Sequence, residues 1–350
     1  MKTVLCTLFN FNYLDKGLAL IDSLGRVSDD YVLYILAMDD DCYRYLQAKN
    51  WERVVPIRLQ DYEDERLLAV KGERSFGEYC WTCTSFLIAY VLDHYQEPCC
   101  AYIDADMAFY ADPALLFGEL ESRGGTVLLT GHRFAWYERD RERVVGKYCV
   151  EFNLFVNCES ARRVLGLWME QCLDRCSSDA ASDSFGDQKY LDNWVRDYGF
   201  VLETEHPGAG IAPWNIARYR LVSHDSPRFQ LRQGDRRAAL VFYHFAGIKY
   251  LERKRVDIGI YSYWGIDDRF AIPLYREYLQ TVDRFKQQVF EETGRLILLQ
   301  AHPAFEDHAA PRSRVRSILS KLKSRPGRLQ LIFKDLPKEL LAKKNILSWD

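Results

Sequence analysis

Apolar positions along the chain follow two alternating patterns. Runs rich in β-branched and aromatic residues, Thr3 to Phe9, Tyr31 to Met38 and Val54 to Leu59, read as buried strands. Between them Gly17 to Leu24 and Asp40 to Lys49 carry apolar residues at helical spacing, and Thr84 to Tyr95 is apolar on almost every side, as a buried helix would be. This alternation predicts βαβ units around a mostly parallel sheet, an α/β fold. Farther along, Cys100 to Ile103, Thr126 to Thr130, Glu151 to Asn157 and Leu240 to His244 read as strands. Ser160 to about Arg175 reads as a long helix, Asp187 to Trp194 as a short one, and Pro273 to Gln300 as helical again. The remainder is basic and punctuated by proline.

A chain of 350 residues accommodates one large domain with an appendage, divided here into a catalytic domain, 1–270, and a helical extension, 271–350. Its 47 basic and 50 acidic residues argue against nucleic acid as the main partner. Cys6, Cys99, Cys100, Cys149 and Cys158 lie in or beside apolar runs and read as reduced, buried thiols. Cys80 and Cys83 have C-x-x-C spacing but lack the second pair that a zinc set needs, and Cys172 and Cys176 share a helix face. Met1 to Leu8 matches neither a signal peptide nor a membrane span, and no later apolar stretch is long enough to span, so a cytoplasmic protein is expected.

Tyr102-Ile103-Asp104-Ala105-Asp106 carries the sharpest chemistry, a pair of aspartates just after a strand. Alternate residues of extended chain face one side, so both carboxylates can approach one divalent cation. A departing nucleoside diphosphate needs such an ion to offset its charge. Two chance acids in an exposed loop are the bland alternative. His244, Gly247 and Lys249 follow the Leu240 to His244 strand and offer a metal ligand, a flexible residue and a diphosphate-binding cation in one loop. A structural histidine with a surface lysine would look the same. Asp187 and Gln188 stand at the start of their predicted helix, either as contacts to a sugar or as complements to the helix dipole. Asn153 and Asn157 share one side of their strand, where one amide can face the crevice.

Taken in order, these pieces resemble the nucleotide-diphospho-sugar transferases of the GT-A type, with its Rossmann-like sheet, and above all the glycogenin-like and lipopolysaccharide galactosyltransferase-like retaining group. The resemblance runs from about Lys2 to Lys249 through a first strand leading to Asn10 and Tyr13, the D-x-D, an F-N-x-x-F-x-N strand, an Asp-Gln helix and an H-x-x-G-x-K loop. It implies that Asp104, Asp106 and His244 hold Mn²⁺ or Mg²⁺, with Asp104 also touching the ribose. It further implies that Lys249, with Ala105 and Gly247 in the same nucleotide-binding set, meets the diphosphate. Thr7, Phe9 and Tyr13 would surround the base, and Asp187, Gln188 and Asn153 would serve the sugar and its transfer, Gln188 near the reacting carbon. Tyr250-Leu251 replaces the usual Pro-Trp after Lys249, which puts that loop's spacing in question. The segment His206 to Gly210 and Ala212 to Asn215 reads as turns, with Trp214 able to stack on a sugar.

The expected activity is transfer of a sugar from a nucleoside diphosphate, UDP by analogy, to a saccharide or lipid-linked glycan with retention. Two alternatives stand beside it: a non-catalytic carbohydrate-binding or scaffold protein of the same fold, and a sugar-nucleotide pyrophosphorylase. The pyrophosphorylase would need a glycine-rich basic loop where this chain has Thr7-Leu8-Phe9-Asn10. A phosphatase with an aspartate nucleophile is a poorer match, because its D-x-D would lie near the N-terminus. Pro311 to Arg328 contains seven cationic residues and no acid, with Val315, Ile318, Leu319 and Leu322 on one helical face. Such a segment suits a peripheral hold on the anionic inner face of a cell membrane, or else a solvated helix packed on the catalytic domain.

Overall fold

A computed structural model describes residues 2–179, 184–252, 255–260, 265–297 and 346–348. The first part of the chain alternates strand and helix as its periodicity requires. β1 (Thr3–Phe9), α1 (Leu14–Val27), β2 (Tyr31–Ala37), α2 (Asp40–Lys49) and β3 (Val54–Arg58) come first. The short helices α3 (Leu59–Tyr62) and α4 (Glu65–Lys71) then lead to α5 (Phe76–His94). α5 begins well before the predicted Thr84, because Ser75 and Glu78 form a capping box at its start.

β4 (Cys99–Ile103), β5 (Met107–Phe109), α6 (Ala114–Ser122) and β6 (Val127–Gly131) follow. Then come α7 (Glu142–Val145), β7 (Tyr148–Val156), α8 (Glu159–Asp174), α9 (Trp194–Asp197) and β8 (Val201–Glu203). The central sheet has the order β3-β2-β1-β4-β7-β6-β8. β7 runs against β4 and β6, whereas the remaining neighbours are parallel, so the sheet is mostly parallel, as expected. α5 packs on β1 and β4. Asp187 and Gln188 do not open an α-helix: they lie in a turn before the short 3-10 helix Lys189–Leu191.

Beyond β8 the chain departs from the βαβ pattern. β9 (Arg220–Asp225), β10 (Arg228–Gln233) and β11 (Arg236–Ala239) form an antiparallel sheet, and β12 (Phe242–His244) pairs antiparallel with β5. β13 (Lys249–Glu252) pairs with β14 (Arg255–Asp257). α10 (Asp268–Thr293) starts ahead of Pro273, where Asp267 caps it, and packs along α1. The boundary at 270/271 thus falls inside α10. β15 (Ile346–Ser348) pairs with β14.

Two apolar clusters fill the interior. One joins the central sheet to α1, α2, α5 and α8. The other gathers Tyr243 and Phe245 against Leu274, Tyr275 and Tyr278 of α10, with the Phe245 and Tyr278 rings stacked at 3.7 Å. All ten cysteines are free, and most are buried, because the strands and helices carrying them face these clusters. Among the described residues no helix is long and apolar enough to cross a membrane. The basic segment 311–328 lies outside the described residues.

Candidate functional site

Backbone pairing brings the two acids and the imidazole together. β4 delivers Asp104 at its carboxyl end, and a turn through Ala105 and Asp106 enters β5. β12 pairs with β5 so that His244 lies opposite Met107. The Phe245 N–H donates to the Asp106 carbonyl at 2.9 Å, and the His244 N–H donates to the Ile211 carbonyl at 2.9 Å. With its backbone fixed on both sides, His244 holds Nε2 3.1 Å from Asp106 Oδ1 and 3.6 Å from Asp104 Oδ2. The Tyr102 hydroxyl donates to Asp104 Oδ1 at 3.1 Å.

β7, next to β4, supplies a fourth group that the sequence reading missed. Glu151 Oε2 lies 2.9 Å from Nδ1 of His244. The three acids differ in exposure: the side chain of Asp104 is 28 % accessible, that of Asp106 16 %, and that of Glu151 0 %. A cation arriving from solvent therefore meets Asp104, Asp106 and Nε2, while Glu151 stays behind the ring.

Three carboxylates surround one imidazole at the centre of the site. Burial, with the negative charges of Asp106 and Glu151, pushes the Asp104 carboxyl up to about 7 against the pull of His244. Burial works against Asp106 ionising too, but His244 and Lys16 outweigh it and hold that group low. Burial and the charge of Asp104 push Asp187 up to about 8. Burial works to keep the His244 imidazole neutral, but Asp106 and the hydrogen bonds to Cys149 and Glu151 outweigh it and raise its pKa well above the ordinary value, so the ring is the cluster's own counter-charge. The donor set fits a divalent ion, since one atom from each of Asp104, Asp106 and His244 lies within 4.8 Å of the others. Cys149, Glu151 and His244 form a second such group, but all three are buried, and burial keeps the Cys149 thiol protonated.

Around this centre several buried polar atoms have no partner: both amide atoms of Asn153, Oδ2 of Asp187 and Nε1 of Trp214. Buried polar groups are as a rule hydrogen-bonded, so these atoms are free to take a partner from a bound ligand. Asn153 pairs in register with Tyr102 on the strand that ends in Asp104, and the Trp214 ring meets His244 edge-on at 5.5 Å. Trp168 Nε1 donates to the Asp187 carbonyl at 2.8 Å and pins the turn that holds Asp187.

The other predicted residues divide. Tyr13 is at the centre, where burial and the charges of Asp106, Asp15 and Asp104 drive its hydroxyl pKa up. Thr7 and Phe9 are buried in β1, the Phe9 ring against Gly17 of α1. Gln188 donates its side-chain amide to the Val145 carbonyl at 2.6 Å. Asn157 donates to the Leu92 and Glu97 carbonyls and serves the far end of β7. Ala105 is buried inside the turn, while Gly247 and Lys249 are exposed. A cation the sequence reading passed over is Lys16, whose ammonium lies 3.8 Å from the centroid of the Tyr13 ring. Its signal was a lysine three places after Tyr13, at the start of a helix.

No family model matches this chain. The uncharacterized protein YfnD of Bacillus subtilis (strain 168) is 28% identical over 318 residues, which cover 88% of this chain and 95% of YfnD. The uncharacterized protein YfnF of the same organism is 30% identical over 303 residues, covering 83% of this chain and 96% of YfnF. Among solved structures, the galactosyltransferase LgtC in complex with donor and acceptor sugar analogs is 12% identical, with a TM-score of 0.49 over 80% of this chain and 96% of that one. Mouse xyloside xylosyltransferase 1, in its apo form, is 12% identical, with a TM-score of 0.45 over 70% of this chain and 97% of that one.

Proposed function

This chain belongs to the same family as YfnF, whose name gives no activity, and from the chemistry of its site we propose that it is a divalent-metal-dependent glycosyltransferase. It moves a sugar from a nucleoside diphosphate, UDP the expected nucleotide, to a saccharide or lipid-linked glycan, with retention at the anomeric carbon. The convergence of Asp104, Asp106 and His244 at the carboxyl end of β4 carries the proposal. Ligands of open α/β sheets collect at that edge.

Asp104, Asp106 and His244 would hold Mn²⁺ or Mg²⁺. The bound ion would offset the charge developing on the leaving diphosphate. Lys16, beside Tyr13, is a cation that can share that task, with Lys249 the second expected by the motif, and the unpartnered groups of Asn153 and Asp187 suit hydroxyls of the sugar. The ordered motifs named above favour retention.

Thermal melting with UDP, GDP or ADP, each with and without Mn²⁺, tests the proposal directly. At least one diphosphate should stabilise the protein in a Mn²⁺-dependent manner, and the matching nucleotide sugars should be slowly hydrolysed. A complete lack of stabilisation by all three in Mn²⁺ rules the proposal out. The anomeric configuration of the transferred sugar, read by NMR, decides retention.

A further inference from the structure

We propose that Glu151 is a positioning residue that holds the His244 imidazole as a nitrogen ligand for the metal. The inference rests on the metal reading above, yet it concerns a residue that would touch neither ion nor substrate. Imidazole has two nitrogens, and one must carry a proton if the other is to offer a lone pair. The carboxylate of Glu151 can only accept, and it sits 2.9 Å from Nδ1. Without an ion, Asp106 Oδ1 lies 3.1 Å from Nε2 and favours a proton on that nitrogen as well. When an ion takes the place of that proton, the Glu151 contact would keep the remaining one on Nδ1 and turn the Nε2 lone pair toward the ion.

The surroundings of Glu151 suit this task. Its side chain is 0 % accessible, and its own carbonyl accepts from the Asp104 N–H at 3.4 Å, which continues the β7–β4 seam past Phe152. On the far side Gly210, at a φ of +71°, approaches so closely that an added Cβ would stand 3.2 Å from Oε1. Glu151 therefore has no route to the crevice. His244 is the side chain it meets within ion-pair distance among the described residues, and its second oxygen has no partner. A buried carboxylate costs stability unless it is paired, so a residue needed only to fill this volume would be apolar or an amide. Carboxylates behind metal-bound imidazoles orient the ring and raise its basicity as a donor. A nitrogen donor also favours Mn²⁺ over Mg²⁺, which prefers all-oxygen coordination.

The experiment titrates Mn²⁺ and Mg²⁺ calorimetrically into the full-length wild type, Glu151→Gln, Glu151→Asp, His244→Ala and the Glu151→Gln/His244→Ala double variant. Glu151→Gln should bind Mn²⁺ about 10- to 100-fold more weakly, with a smaller loss for Mg²⁺. The shorter carboxylate of Glu151→Asp should recover part of the Mn²⁺ affinity. With His244 removed, Glu151→Gln should cost nothing further, because a positioning residue has no effect without the ring it positions. Metal-free melting curves identify any variant that does not fold, and Glu151→Asp serves as the comparison if Glu151→Gln is one. Wild-type Mn²⁺ affinity in both Glu151 variants overturns the proposal, as do independent, multiplying losses in the double variant. Failure of the wild type to bind Mn²⁺ overturns it together with the metal reading, and is distinguishable because it precedes any comparison of variants.

Discussion

At His244 both ring nitrogens face carboxylates, and Asp106 is its nearest partner on the open side. Asp106→Ala should weaken Mn²⁺ binding by at least about 100-fold and abolish any Mn²⁺-dependent melting shift with UDP, while the circular dichroism of the metal-free protein is unchanged. A second residue-scale prediction concerns packing. A Cβ at Gly208 would stand 1.8 Å from the Ala239 carbonyl oxygen, a backbone atom that cannot rotate aside. Gly208→Ala should therefore lose roughly 2 to 4 kcal/mol in urea denaturation. Asp104, Asp106 and His244 were legible in the sequence because their chemistry is compressed into short motifs after apolar strands. Glu151 was harder to see: hydrophobic periodicity marks its strand as buried but does not reveal which distant group pairs with a buried acid. The signal was the acid itself, inside an apolar run where it needs a partner.

Among the elements, α5 shows how a signal can be present yet outweighed. Its later turns are apolar all round and were read as helix, whereas the start depends on Ser75 and Glu78 reciprocally capping each other. Glu78 also accepts from the Ser178 N–H at 2.9 Å, tying the start of α5 to the loop after α8. Ser75→Ala should cost about 1 kcal/mol in thermal or urea unfolding. Burial opposes ionisation of Glu78, but its hydrogen bonds to Ser178 and Ser75 prevail and bring the carboxyl down to about 2 from 4.5. A depressed acid stabilises above its unfolded value, so this contribution should be lost as pH falls from about 4.5 to 2. Glu78→Gln should flatten that limb of the stability profile, though solvent screening keeps the effect small. The β9 to β11 sheet is not among the elements the sequence predicts, although Phe229 and Leu231 alternate with polar residues and Gly234 marks a turn; the charged neighbours mask it. Asp187 to Trp194 follows a serine-rich loop and has the acid and amide of a helix start, but the chain forms only the short 3-10 helix Lys189–Leu191 before α9.

Across the whole molecule, the electrostatics of the site link ion binding to pH. Burial and neighbouring acids raise Asp104 to about 7, and burial with Asp104 raises Asp187 to about 8, both from 3.8. In the metal-free protein an acid raised on folding stabilises fully below its unfolded value, and that contribution is lost as pH rises through the folded one. Binding a cation has the opposite demand, because the ligand carboxylate must give up its proton. The gain in melting temperature from Mn²⁺ should therefore be larger at pH 8 than at pH 6. Equal gains at both values would show that Asp104 is already ionised across that range. The mostly parallel sheet was visible in the sequence from its βαβ rhythm, whereas the second apolar cluster was not, since it forms only when α10 closes over β12.

That closure has a consequence for how the molecule comes into being. The acids emerge early, after a strand that can already pair with β1, whereas the imidazole arrives on β12, and the aromatic residues flanking it are buried against α10. A nascent chain could complete most of its sheet on the ribosome and still present only half a grip. Capture of the ion would then report that α10 has docked, and unfinished molecules would be silent by construction.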